Sequence, residues 1–142
     1  MTGELTAEAV EAFIDSYRLA FERRDADAVA DHFAYPSQVL SQADEHPVLV
    51  TIARKSQWLP KVKALLQQYQ AAGVYRVRVA SQRVQVLSKS IALAFVEWSL
   101  VDLAGDELYR FDNVYTVTPA QGSLRVVAAI SPNELQRARR RR

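Results

Sequence analysis

Residues 107–131 read ELYRFDNVYTVTPAQGSLRVVAAIS, and the pattern is that of two strands joined by a turn. Two runs rich in Val, Tyr, Phe and Thr, residue types that fit a pleated and half-buried surface, flank the turn residues 119–122. In the first run Tyr109, Phe111, Tyr115 and Val117 fall on one face, and Arg110 and Asp112 share the other. Upstream, residues 74–87 and 90–102 carry the same signature, and the connections Ser88-Lys89 and Ala104-Gly105-Asp106 are short. Four consecutive strands with short links pair most economically as an antiparallel meander. In the first of them Tyr75, Val77 and Val79 share a face while Val84 and Val86 fall on the other parity, which predicts a bulge near residues 81–83.

The period changes toward the N-terminus. From residue 6 to 24, Val10, Phe13, Ile14, Tyr17, Ala20 and Phe21 recur at three- and four-residue spacings, which predicts an amphipathic helix with Thr6 as its N-cap. Asp25 or Asp27 caps a second, short helix through Phe33, and Pro36 ends helical structure. Residues 37–42 and 48–53 read as short strands around a polar turn. Ser56 then caps a third helix, with Pro60 near its start and a stripe of Trp58, Leu59, Val62, Leu65, Leu66 and Tyr69 ending at Gly73.

The chain has 142 residues, 49% of them hydrophobic and 24% charged, with no cysteine and two histidines. That suits one compact domain with an ordinary core. It excludes disulfides, thiolate metal sites and a cysteine nucleophile, and it leaves little to build a zinc site, so no metal or organic cofactor is expected. The net charge of +2 divides unevenly, because Arg137, Arg139, Arg140, Arg141 and Arg142 supply five of 18 bases. Without them 13 bases face 16 acids, so contact with nucleic acid is expected only through the tail. The reading is a domain over residues 1–132 and a flexible arginine-rich tail over 133–142. Short apolar runs and an acidic N-terminus predict a cytoplasmic protein without a membrane span.

The element order, with FIDSYRLAFERRDADAVADHFA at residues 13–34 and ELYRFDNVYTV and GSLRVVAAIS near the end, resembles the nuclear transport factor 2-like superfamily. It looks most like the SnoaL-like and ketosteroid-isomerase-like branches. The resemblance implies an α+β, cystatin-like cone, in which a curved antiparallel sheet is covered on its concave face by three helices. It also implies a pocket between sheet and helices, and a homodimer formed through the outer sheet face. In ketosteroid-isomerase-like members a first-helix tyrosine and a late-strand acid hold the developing oxyanion, and an aspartate ending the first strand moves the proton. The resemblance places Tyr17 and Asp112 at the first two positions. The third is Ser41, whose hydroxyl is too weak an acid for that work. Epoxide-hydrolase chemistry of the limonene type would need a further carboxylate that LRVVAAIS lacks.

Each candidate has a chemical and a packing reading. Asp112 is either a neutral donor or proton carrier inside the cone, or the surface partner of Arg110; if the aromatic face of its strand lines the cavity, Asp112 points outward. Glu97 is a pocket acid or a rim residue, His32 an acid–base group or a helix-end histidine, and His46 belongs to a solvated turn. Tyr17 either offers its hydroxyl to the cavity or packs in the core. Phe13, Phe21, Phe33, Tyr35, Trp58 and Tyr69 are the candidate walls for an apolar ligand. Together they describe a small-molecule-binding protein. Either it works as an acid–base isomerase, cyclase or dehydratase on an apolar substrate through Asp112 and Tyr17, or it is a non-catalytic ligand-binding or dimerisation module.

Overall fold

A computed structural model describes residues 5–43, 45–132 and 136–137. The order is α1 (Ala7–Glu22), α2 (Ala26–Asp31), β1 (Phe33–Ala43), β2 (His46–Ile52), α3 (Lys55–Ala71), β3 (Arg76–Val86), β4 (Ala92–Val101), β5 (Glu107–Ala120), β6 (Ser123–Ser131) and a short β7 (Gln136–Arg137). Thr6 Oγ1 accepts from the Ala9 N–H and Asp25 Oδ1 from the Ala28 N–H, so both expected caps are made. The third helix starts earlier than its pattern suggested. Arg54 occupies the N-cap without a side-chain bond, Gln57 Oε1 accepts from the Ala53 N–H instead, and Ser56 is already helical. Pro60 then lies inside the helix on an exposed turn, where water can serve the carbonyl it leaves free.

The strands form one curved sheet in the order β2-β1-β6-β5-β4-β3, with β7 beside β5. The last four long strands are the expected antiparallel meander, but β1 pairs parallel with β6, so the sheet is antiparallel except at that ladder. β1 therefore lies beside β6 in the same sheet, with β2 at the edge. The bulge in β3 falls at Ala80, between the pairs Val79↔Trp98 and Ser81↔Glu97. One extra residue there moves the inward parity from Val77 and Val79 to Val84 and Val86, so the expected register shift is present one position before the predicted span.

Val10, Ile14, Tyr17 and Ala20 of α1, Val62, Leu66 and Tyr69 of α3, and the even-numbered residues 92–100 of β4 close the core between helices and sheet. Val10 and Ile14 are fully buried, and truncating either to Ala removes packing worth about 2–4 kcal/mol. Within the arginine-rich tail, Gln136 and Arg137 pair with Arg110 and Tyr109; Arg139, Arg140, Arg141 and Arg142 lie outside the described residues.

Candidate functional site

The concave face and the helices enclose a cavity of about 160 Å³. Its walls come from every layer: Tyr17 and Phe21 of α1, Val29 of α2, Phe33 and Val39 of β1, Trp58, Lys61, Val62, Leu65 and Tyr69 of α3, and inward residues of the sheet. The sheet supplies Val77, Trp98, Leu100, Phe111, Asn113, Tyr115, Ala129 and Ser131. Period-2 alternation explains the set, because Phe111, Asn113 and Tyr115 share one face of β5, and the register sets Trp98 of β4 opposite Phe111.

An aromatic cluster forms the floor. Tyr17 meets Phe21, Phe33, Trp98 and Tyr115 at ring-centroid distances of 5.1, 6.1, 6.2 and 5.7 Å. Phe33 packs against Trp58 at 5.2 Å. Centroid separations of this size with tilted or edge geometry are the favourable arrangement of ring quadrupoles.

Four of the polar side chains in the wall form one network. Trp98 Nε1 and Asn113 Nδ2 each donate to Tyr115 Oη at 2.9 Å, and Ser131 Oγ donates to Asn113 Oδ1 at 2.8 Å. Burial pushes the Tyr115 phenol up to about 12, while the two hydrogen bonds it accepts pull the other way. Burial, with the neighbouring phenols Tyr115, Tyr69 and Tyr35, raises Tyr17 well above the ordinary tyrosine value, and burial likewise raises Tyr69. These phenols stay protonated at neutral pH and serve as hydrogen-bond groups rather than as bases. Trp58 Nε1 is buried without a partner among the described residues.

The predicted site residues separate cleanly. Tyr17, Phe21, Phe33, Trp58 and Tyr69 line the cavity; Phe13 and Tyr35 do not. Phe13 packs on His32 at 5.2 Å, and the Tyr35 hydroxyl donates to the Ala30 carbonyl at 2.7 Å. Asp112 is exposed on the outer sheet face, directly across from Glu97. Its neighbours on β5, Phe111 and Asn113, take the inward parity, so Asp112 cannot act as an acid inside the cone. The alternative pairing with Arg110 is also replaced: Arg110 bridges Glu97 at 3.1 Å and Glu107 at 2.7 Å. His32 stands at the C-cap of α2, with Nδ1 2.6 Å from the Ala28 carbonyl and Nε2 2.7 Å from Ser16 Oγ, outside the cavity wall.

Asn113 and Ser131 are polar wall residues that no sequence expectation named, whereas Tyr115 lies on the aromatic face of β5 that turns inward. Their signal was parity: an asparagine between two inward aromatics, and a serine two positions beyond an inward alanine. Among the described residues no cluster of three or more histidines, cysteines or carboxylates could hold a metal, and no helix is long and apolar enough to cross a membrane.

A curved mixed sheet wrapped by three helices around an apolar cavity is the cystatin-like α+β cone. Residues 7–134 match the family described as "NTF2-like protein (DUF6841)", and the chain belongs to it. Solved structures repeat the fold at low identity. A cystatin-like protein of unknown function from Nostoc punctiforme is 12% identical with a TM-score of 0.69, over 92% of this chain and 95% of that one. An NTF-2 like protein of unknown function from Shewanella oneidensis is 14% identical with a TM-score of 0.68, over 91% and 100%. An NTF2-like protein with a cystatin-like fold from Novosphingobium aromaticivorans is 13% identical with a TM-score of 0.69, over 88% and 79%. Such identities carry the fold alone. No curated protein sequence matches the chain.

Proposed function

We propose that this protein binds a small, predominantly apolar molecule in the cone, as the non-catalytic branch of the sequence reading holds. The observation that carries this is the composition of the wall: apolar and aromatic side chains, three phenols held protonated and, among the described residues, no carboxylate or imidazole. Among the described residues the wall thus lacks the carboxylate or imidazole that most often moves a proton to or from carbon. The cavity is also compact. At about 160 Å³ it is comparable to engineered cavities of about 150 Å³ that take up benzene, and it is well below the roughly 300 Å³ at which pockets for drug-sized ligands begin. The occupant is a single-ring or short branched molecule, with Lys61, an exposed wall residue, marking the approach to solvent.

Titration of the full chain with ethylbenzene, followed through the indole N–H resonances of Trp58 and Trp98, tests the reading. Saturable shifts of both support it; unchanged spectra up to the solubility limit of the probe reject it.

The outer sheet face supports a homodimer as a companion reading. Leu49, Leu40, Ile130, Val114 and Phe95 lie side by side across five strands by their pairing register, and Leu49 and Ile130 are 59% and 40% exposed. Analytical ultracentrifugation should give a dimer that Leu40→Lys dissociates, and a monomeric parent chain would dismiss this companion reading.

A further inference from the structure

The direction of the hydrogen bonds at Tyr115 leaves one proton unspent. An indole N–H can only donate, so Trp98 fixes one acceptor site of the Tyr115 oxygen. The Asn113 amide nitrogen takes the other, because its carbonyl end accepts from Ser131. With both lone pairs engaged, the phenolic hydrogen lies outside this network, on a side chain that is 2% exposed and forms part of the cavity wall. A second, independent donor stands in the same wall: buried Trp58 Nε1, which has no partner among the described residues. Uncommitted buried donors are costly unless something in the cavity accepts from them.

Resting on the binding reading above, we infer that the ligand carries an uncharged, acceptor-only oxygen, a carbonyl or ether, and that the Tyr115 hydroxyl reads it. An anionic oxygen fits poorly: among the described residues the cation of the wall is Lys61, which is exposed, so a carboxylate inside the apolar walls would lose its hydration without a buried counter-charge among them. An alcohol accepts equally well but brings a proton that needs an acceptor of its own. The network makes Tyr115 a specificity-determining residue, with Asn113 and Ser131 holding its oxygen in place.

The test compares acetophenone, 1-phenylethanol and isopropylbenzene, which share one branched skeleton, by NMR titration of the full chain. Acetophenone should bind about five- to tenfold more tightly than isopropylbenzene, the return of one hydrogen bond made in a cavity, with 1-phenylethanol weaker than acetophenone. Tyr115→Phe should abolish the preference, so that acetophenone and isopropylbenzene bind that variant equally. Ser131→Ala, a milder change on a strand that keeps its backbone pairing, should narrow it if Tyr115→Phe does not fold. Equal affinities for the three probes in the parent chain would overturn the inference while the cavity reading survives. A reversed Asn113 amide, which would draw the Tyr115 proton into the network, predicts that equality. Binding of none of the probes would overturn the cavity reading and this one with it.

Discussion

Ala129 offers a direct way to ask whether the cone is empty for a purpose. Its methyl group is in the cavity wall on β6, between Tyr115 of β5 and Val39 of β1, with which it pairs in register. Replacing it by leucine projects three more carbon atoms into a space of about 160 Å³. In the usual case enlarging a core residue in a close-packed interior costs about 1–3 kcal/mol through strain. Here the sign should reverse. Three newly buried carbons return about 2.4 kcal/mol at about 0.8 kcal/mol each, and ordering the leucine side chain takes back about 0.5–1 kcal/mol. The upper limit is set by the hole itself: at about 24 cal/mol per Å³, complete filling would return about 4 kcal/mol. The expected outcome is a gain of about 1.5–2 kcal/mol, seen as a raised urea midpoint at unchanged slope and a melting temperature higher by about 4–8 °C.

The same substitution should lower affinity for ethylbenzene at least tenfold, because ligand and leucine compete for one volume. Stability and binding thus move in opposite directions, the mark of a cavity kept open at a cost in stability. A destabilisation of more than about 1 kcal/mol with binding retained would show that Ala129 sits in ordinary packed core, and the reasoning would fail.

Asp112→Asn should leave both probe affinity and stability within about 0.5 kcal/mol of the parent, as for a surface position away from caps and networks; a large loss of binding in the titration would return Asp112 to the site. Stability should also fall steeply at high pH. Tyr17, Tyr69 and Tyr115 have folded values raised by burial above the ordinary value of 10.0. The folded state therefore holds protons that the unfolded chain releases, and the contribution is complete below pH 10 and lost as pH rises through the raised values. Each such group adds at most about 1.4 kcal/mol per pH unit to the loss, once the unfolded phenols are ionised and while the buried ones hold their protons. Urea midpoints measured from pH 8 to 11 check it, and a flat profile would contradict the burial.

The fold was legible because its signals are periodic and local. The α1 stripe from Val10 to Phe21, the Thr6 and Asp25 caps, and the alternation along β4 and β5 each specify an element without reference to the rest of the chain. Even the parity switch in β3 appeared as a shift of valines. What the sequence pattern did not show was which face of a strand turns inward. On β5 the choice between Tyr109-Phe111-Tyr115 and Leu108-Arg110-Asp112 is made by the ladder to β4, where Trp98 and Leu100 must meet inward partners. The parallel β1–β6 ladder was hidden for the same reason: it joins residues about 90 positions apart, and no local pattern records it. Four of the six aromatic wall candidates reach the cavity, since aromatics on a buried stripe face the core wherever it lies; Phe13 and Tyr35 lie at its margin.

The same parity rule implies that an acid placed one residue beyond Asp112 would behave quite differently, and Asn113→Asp tests that. The Asn113 amide donates to Tyr115 and accepts from Ser131. A protonated carboxyl reproduces this pattern with one donor and one acceptor, whereas a carboxylate offers acceptors only and sits among Phe111, Tyr115 and other wall groups. Burial and the lost donor both raise the new group's pKa above the unfolded value of about 3.9. A raised acid contributes its full stability below the unfolded value and loses it as pH rises through the folded one. The variant should therefore approach parent stability at pH 4 and fall behind by about 1.4 kcal/mol for each unit of upward shift as pH rises to 7. The Tyr115 hydroxyl can turn its proton toward the carboxylate, so the loss at neutral pH should come with a weaker preference for acetophenone. The parent chain, with Asp112 already at the exposed outward position one residue away, provides the comparison. Urea titrations of Asn113→Asp and of the parent chain at pH 4, 5.5 and 7 decide the matter. A difference between the two that does not grow as pH rises would mean that position 113 does not face inward, and the assignment of inward and outward faces on β5 would be wrong.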